Sequence, residues 1–436
     1  MSSALRVGVA GLGTVGASFI RLLDERADAL AAAAGRPIQV TAVSARDRTR
    51  DRGIDVSALR WHADPLALAE DDEVDVVVEL IGGADGAARA LVEAALTRGK
   101  SVVTANKAML AAYGLDLAAL AESNGVGLAF EAAAAGGIPV IKTLREALPA
   151  SQLTRISGIL NGTCNYILSR MEAEGLSFEA CLADAQRLGY AEADPTFDIG
   201  GFDTAHKLAI LTSLAFGTRL DADAIYVEGI ASITSLDLAM ADELGYRIKL
   251  LGVATRVDGS IEQRVHPTMV SKSAALAQVM GVTNAVAIDG SAIGELTLIG
   301  PGAGGDATAS AVISDVVDIA RGAIRLPFGI AVAALEHAQR APIRTHTGGY
   351  YIRLDVVDEP GTAAAIATRM AEQGISLESI LQRKPRDRKP ADSDACVPLV
   401  LITHATSEAA VHRALDAVLA DRHIQGTPQV IRIEKD

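Results

Sequence analysis

LRVGVAGLGTVGASFIRLLDE, residues 5–25, carries an apolar strand straight into a glycine turn and then into a helical pattern. Gly11, Gly13 and Gly16 make a GxGxxG at that junction. The first glycine permits the tight turn and the second lets a pyrophosphate approach the backbone. The third lets the helix pack closely, with the phosphates at its positive N-terminus. A tight βα turn would also use glycines, so the motif alone is weak. Here strand, turn and helix stand where dinucleotide binding needs them. Gly11, Gly13, Thr14, Val15 and Gly16 are the expected cofactor contacts.

Outward from that stretch, strand-like IQVTAVSA (38–45), VDVVVELIGG (74–83), SVVTAN (101–106) and GLAFEAAAA (127–135) alternate with helical segments. Apolar strands between helices predict a Rossmann-like, doubly wound parallel sheet over residues 1–150. Residues 151–304 mix helices near 162–174, 177–188 and 204–216 with a strand-rich stretch. They are expected to form an α+β domain for substrate and dimerisation. The helix at 305–323 is expected to return and close the first domain. Residues 324–348 read as a linker, and 349–436 as a ferredoxin-like βαββαβ unit. The charged stretch 383–395 is expected to be a solvated hairpin loop.

The second strand, IQVTAVSARD, ends without the acid that usually binds a ribose 2′-OH. Arg46 follows it and suits a 2′-phosphate, although a surface arginine beside Asp47 would look the same. NADP is therefore favoured over NAD.

Half of the 436 residues are apolar, 22% are charged and the formal charge is −14, which is globular. That charge argues against binding nucleic acid or an anionic membrane surface. Cys164, Cys181 and Cys396 match no metal or redox spacing and suit a reducing cytoplasm. No apolar run reaches the roughly 20 residues needed to span a bilayer.

DIGGFDTAHK (198–207) poses the chemical question. On a helix starting at Thr204, Asp203 and Lys207 share a face with Ile210, Leu211 and Leu214, where charges do not belong. In the plainest account Asp203 is the N-cap and Lys207 its helical partner. But burying a lysine on an apolar stripe costs more than such a pair returns. A cleft beside the stripe would explain it, with a lysine of lowered pKa able to transfer a proton. Glu192, Asp194, Asp198 and Asp203, with no Lys or Arg among them, suit a substrate ammonium group. The residues together predict hydride transfer from a nicotinamide to the carbonyl of an amino acid.

VTANK (103–107), FEAAAAGGIPV (130–140), GILNGTCNYIL (158–168), GYAEADPTFDIGGFDTAHKLAIL (189–211) and GPGAGGDATASAVISD (300–315) resemble homoserine dehydrogenases, in the family's order. The terminal βαββαβ, with its DEPG turn, resembles the ACT regulatory domain. The resemblance implies reversible reduction of L-aspartate 4-semialdehyde to L-homoserine by NAD(P)H, on the route to threonine and methionine. It makes Lys207 the proton donor, Lys107 a second active-site lysine touching cofactor and substrate, and Asp203 and Glu192 substrate acids. Asp198 joins that acidic set, and Thr163 faces the substrate. Gly189 and Gly304 line the nicotinamide, and Glu131, Ala134, Gly136 and Ile138 hold a monovalent cation, Na+ or K+. The family often has Ser or Thr where Ala133 stands, and Ser376 replaces an asparagine of the ACT segment. Threonine is the implied effector, and a homodimer or homotetramer the implied assembly.

Two other functions fit the residues less well. An aspartate-semialdehyde dehydrogenase would need a thiolate with a histidine base, and no histidine lies near Cys164 in sequence. A non-catalytic amino-acid sensor would have lost the glycines or lysines, which are present. The ACT segment, alternatively, serves dimerisation alone.

Overall fold

The structure is a computed structural model that describes residues 3–343, 346–382 and 396–434. The charged stretch 383–395 lies outside the described residues.

Six parallel strands form the first sheet, in the order Arg60–His62, Ile38–Ser44, Leu5–Ala10, Val76–Glu79, Ser101–Thr104, Leu128–Ala129. The order reverses between Leu5–Ala10 and Val76–Glu79, so the crevice at their C-terminal ends is the expected ligand position. Helix Gly305–Ala320 packs on helix Thr14–Glu25, with Val312 and Val316 sharing a core with Val7, Val9 and Phe19. A segment some 280 residues later in the chain thus completes the cofactor domain.

The second sheet runs through both remaining domains. Strands Leu153–Ile159, Tyr246–Val257, Ser260–Ser271, Thr283–Gly290 and Gly294–Pro301 make its substrate-side half. Thr347–Val356, Leu377–Gln382, Val397–Thr403 and Ile424–Ile433, with helices Thr362–Glu372 and Glu408–Ala420, make the βαββαβ half. The halves join where Arg432 and Ile433 pair in parallel with Thr268 and Met269. Buried charge reinforces the seam: Arg432 bonds to Glu408 and, at 3.1 Å, to Glu228, while Arg264 reaches Glu434 at 2.7 Å. Tyr351 Oη donates to Asp237 at 2.8 Å. The stretch expected to be a linker is packed in part. Phe328 is buried against Phe130, and Gln339–Arg340 pairs with Ser260–Ile261.

The helix bearing Lys207 runs Phe202–Phe216, beginning two residues earlier than expected. Its N-cap is Gly201 at φ +87, where a Cβ would stand 3.0 Å from Val265 Cγ1. The helix is not amphipathic but buried nearly all round, between helix Lys107–Asn124 and strand Tyr246–Val257. Asp203 and Lys207 therefore have no wet side to choose.

Candidate active site

The glycine turn has the shape its sequence predicts. Gly11 lies at φ +97, and a Cβ there would stand 2.5 Å from Leu80 O; one on Gly16 would stand 2.1 Å from Gly11 O. A Cβ on Gly13, the N-cap of the helix that starts Thr14, Val15, would meet nothing within 4 Å. That open backbone at a helix N-terminus fits a pyrophosphate. Arg46 lines the same groove with Gly11 and Gly13, and so do Arg50 and Arg52. Asp47 does not compete for the site: its carboxylate accepts from Thr49 N at 2.8 Å and Thr49 Oγ1 at 2.7 Å. Arg52 bonds to the carbonyls of Leu12, Arg50 and Asp47, tying this loop to the glycine turn. The guanidinium groups of Arg46 and Arg50 have no partner among the described residues. Arg50 was missed in the sequence, although the run RDRTRDR (46–52) was its signal.

VTANK is a device for aiming Lys107 across the cleft. Thr104 Oγ1 donates to the buried Glu79 at 2.6 Å and accepts from Asn106 N at 3.0 Å. Asn106 Oδ1 then caps the helix by accepting from Met109 N at 3.1 Å. Lys107, the first residue of that helix, places its Nζ 2.8 Å from Asp203 Oδ1. An ion pair thereby joins the cofactor domain to the substrate domain at the cavity, beside the packing of helix Lys107–Asn124 on helix Phe202–Phe216.

The other Asp203 oxygen accepts from Lys207 Nζ at 2.8 Å and from Asn161 Nδ2 at 2.8 Å. Lys207 Nζ also donates to Leu160 O at 2.7 Å. Asp203 is therefore not a helix cap: it sits in the first turn, its carboxylate spent on two lysines and an amide. Burial disfavours its charge, but the two ammonium groups win and hold its carboxyl well below the usual range. Burial lowers the Lys207 pKa, Lys107 lowers it further, and Asp203 opposes both. Burial, then the Asp203 charge, pushes the Asp198 carboxyl up.

Asn161 organises the acids, and the sequence reading passed over it. Its amide bonds to Asp198 Oδ1 at 2.9 Å as well as to Asp203, while its Oδ1 caps helix Gly162–Glu174 through Cys164 N at 2.8 Å. An Asn before a helical pattern was the available signal. Thr163, with the cap position taken, donates its hydroxyl to Tyr190 O at 2.6 Å. The Cys164 thiol is buried, donates to Asp198 O and has its pKa pushed up by burial, so it is no thiolate nucleophile.

Around these groups lies a cavity of about 670 Å³. Lys107, Thr163, Gly189, Asp198, Asp203, Lys207 and Gly304 all line it. Glu192 does not line it; it is exposed, two residues beyond Tyr190. Asp194 serves its own turn, accepting from Thr196 N at 3.1 Å.

Glu131, Ala134, Gly136 and Ile138 fall in one buried turn, with Ala135 at φ +57 and Gly136 at φ +56. Both carboxylate oxygens of Glu131 accept backbone N–H groups, from Ile141 and Lys142 at 2.8 Å. Burial, then Asp315, raises its pKa to about 7. The Ala134 and Gly136 carbonyls accept no hydrogen bond among the described residues. Buried, donorless carbonyls beside an acid fit a hard monovalent cation. Among the described residues no cluster of three or more His, Cys, Asp or Glu side chains could hold a metal.

Comparison with known proteins identifies the family. Family models for homoserine dehydrogenase match residues 139–317, for the homoserine dehydrogenase NAD-binding domain 11–131, and for the ACT domain 350–422. A homoserine dehydrogenase of Pseudomonas aeruginosa is 45% identical, with 99% of each chain covered. The chain belongs to the homoserine dehydrogenase family. The homoserine dehydrogenase of Neisseria gonorrhoeae is 43% identical, covering 99% of this chain and 98% of that one. The crystal structure of a homoserine dehydrogenase from Thiobacillus denitrificans superposes with a TM-score of 0.92 at 40% identity, covering 99% and 98% of the two chains. A hyperthermophilic archaeal homoserine dehydrogenase in complex with NADPH has a TM-score of 0.63 at 27% identity, over 72% of this chain and 97% of that one. Family membership makes the chain a nicotinamide-dependent oxidoreductase of amino-acid biosynthesis, here with a C-terminal ACT domain. A non-catalytic sensor finds no support among these homoserine dehydrogenases.

Proposed function

We propose that the cavity reduces L-aspartate 4-semialdehyde to L-homoserine, reversibly, with Lys207 as the acid. The carrying observation is the position of Lys207, buried yet lining the cavity, its ammonium braced by Asp203 and Leu160 O. The nicotinamide, when bound, supplies the hydride. As the carbonyl oxygen gains charge, Lys207 Nζ gives it a proton and becomes a neutral amine, which solvent reprotonates. Lys107, sharing Asp203, orients the carbonyl against the cofactor. Asp203 and Asp198 receive the substrate ammonium and Thr163 faces the substrate, while Glu192, exposed on the loop after Tyr190 and outside the cavity lining, makes no contact in this arrangement. NADPH or NADH oxidation with aspartate semialdehyde, with and without L-threonine, tests this directly. Substrate-dependent turnover, slowed by threonine in the full chain, is expected; no turnover with either cofactor would overturn the assignment.

NADP is the preferred cofactor in this proposal, because Arg46 and Arg50 stand unpaired at the groove. Arg46→Ala should raise the KM for NADPH about 10- to 100-fold, the usual worth of a hydrogen bond to a charged group. The KM for NADH should barely move, and equal losses with both would refute the preference.

A monovalent cation in the turn of Glu131, Ala134, Gly136 and Ile138 belongs to the same proposal, supported by the donorless carbonyls of Ala134 and Gly136; that of Ile138 accepts from Val140 N at 2.8 Å. A melting temperature no higher in Na+ or K+ than in choline would contradict it. Threonine regulation through the ACT domain belongs to the same proposal, with the sheet that domain shares with the substrate strands as the route by which binding would reach the cavity. Assembly as a homodimer or homotetramer is supported by the open edge strand Gly294–Pro301, with Ile299 exposed; a monomer in sedimentation would refute it. A cytoplasmic setting suits three free cysteines and the lack, among the described residues, of any helix able to cross a membrane.

A further inference from the structure

The acids and lysines around the cavity are engaged within the chain, and Asn284 is not. The residue is 1% exposed, yet its side chain makes no hydrogen bond among the described residues; Oδ1 is buried without a donor, and a half-turn of the carboxamide sets Nδ2 in that place, where a carboxylate oxygen can accept from it. Leaving a buried carboxamide unpaired costs roughly 1–3 kcal/mol, so the position calls for a partner. Asn284 stands near the start of strand Thr283–Gly290 and lines the cavity. A Cβ on Gly302 would lie 1.9 Å from Asn284 Cγ, so the GPGAGG loop rests directly on the amide. On the other side, a Cβ on Gly162 would lie 3.6 Å from Asn284 Oδ1. The amide is thus wedged between that loop and the first turn of helix Gly162–Glu174.

That turn has open donors of its own. Asn161 Oδ1 satisfies Cys164 N, but the N–H groups of Gly162 and Thr163 have no partner among the described residues, and both residues line the cavity. A helix of 13 residues concentrates partial positive charge there. An α-amino acid carries carboxylate and ammonium on one carbon. Donors on one side of Asn161, with Asp198 and Asp203 held by its amide, match both groups at once. A neutral amide also suits the place, since another cation would compete for those two acids. The position is rigid: Asn165 Nδ2 donates to Val279 O at 3.2 Å and Thr283 O at 3.1 Å. Buried Lys249 donates in turn to Asn165 Oδ1 at 3.0 Å and Val279 O at 2.6 Å.

We infer that Asn284 is a specificity-determining residue whose side-chain amide donates to the α-carboxylate of the substrate, seated against the first turn of helix Gly162–Glu174. This rests on the proposed use of the cavity for substrate reduction. The test is the KM for L-homoserine and the Kd for NADPH in Asn284→Ser, Asn284→Ala and Asn284→Asp, with Lys207→Ala alongside. Removing a hydrogen bond to a carboxylate should raise KM about 10-fold or more in the alanine variant. The aspartate variant, which repels the carboxylate, should be worse still, and serine, which keeps a donor, milder than alanine. NADPH affinity should stay near that of the parent in all three, and melting temperature in the serine and alanine variants. Equal KM effects of alanine and aspartate, or NADPH affinity falling in step with KM, would overturn the inference. If the aspartate variant does not fold, the serine–alanine order decides. Unchanged KM with an inactive Lys207→Ala would remove Asn284 alone; an active Lys207→Ala would remove the reading of the cavity itself.

Discussion

Lys207→Ala is expected to lower kcat for aspartate semialdehyde reduction by roughly 10²- to 10⁴-fold, the range for loss of a positioned general acid. Lys207 lies in the substrate domain, away from the glycine turn that takes the pyrophosphate, so NADPH affinity should be unchanged. Fluorescence titration separates the two, and near-parental turnover would end the catalytic assignment. The pH dependence has a definite sign. Burial sets the folded pKa of Lys207 below that of a free lysine, and reduction needs the protonated form. Reduction should therefore fall as pH rises through that lowered pKa, while homoserine oxidation, which needs the neutral amine, should rise. Profiles that move together would place the titration elsewhere.

Asp203→Ala should cost about 3–5 kcal/mol of stability, because it leaves the buried Lys207 charge without its counter-ion. Lys107, on the other carboxylate oxygen, is partly exposed and contributes less. Urea unfolding reads the loss; a change under about 1 kcal/mol would mean that the pair acts as a surface salt bridge. Adding Lys207→Met should recover much of the stability, since the stranded charge is then gone, but none of the activity. The single variant should also shift the reduction profile to lower pH, because Asp203 does more than Asp198 to raise the Lys207 pKa.

Local signals explain which parts of the site were legible. The glycine spacing states its own geometry, because the close approaches at Gly11 and Gly16 arise within one turn and its neighbouring strand. The buried pair at Asp203 and Lys207 was visible as a breach of hydrophobic pattern, although the premise was wrong. The pattern assumed a half-exposed helix, and the helix is enclosed. Enclosure comes from helix Lys107–Asn124 and strand Tyr246–Val257, distant in sequence, so no window around residue 207 could reveal it. The choice left open for Asp203, between capping the helix and serving the site, is decided by a related reason. An aspartate before a helix is a cap by local rules, but two lysines and Asn161 bid for its carboxylate from other elements.

Asn284 and Asn161 show the limit most plainly. Asn284 stands in no motif that marks chemistry, and Asn161, inside GILNGTCNYIL, is marked locally only as a helix cap; each matters because strands and loops far apart in the chain close around it. The sequence by itself determined the alternation of strands and helices, the cofactor turn and the residue types capable of proton transfer. All of these are set by periodicity and by backbone sterics within a few residues. Only the tertiary structure decided that Lys107 of one domain and Lys207 of another share one carboxylate. That sharing arises from burial, since a charge removed from water must take whatever counter-charge the fold brings within hydrogen-bonding reach.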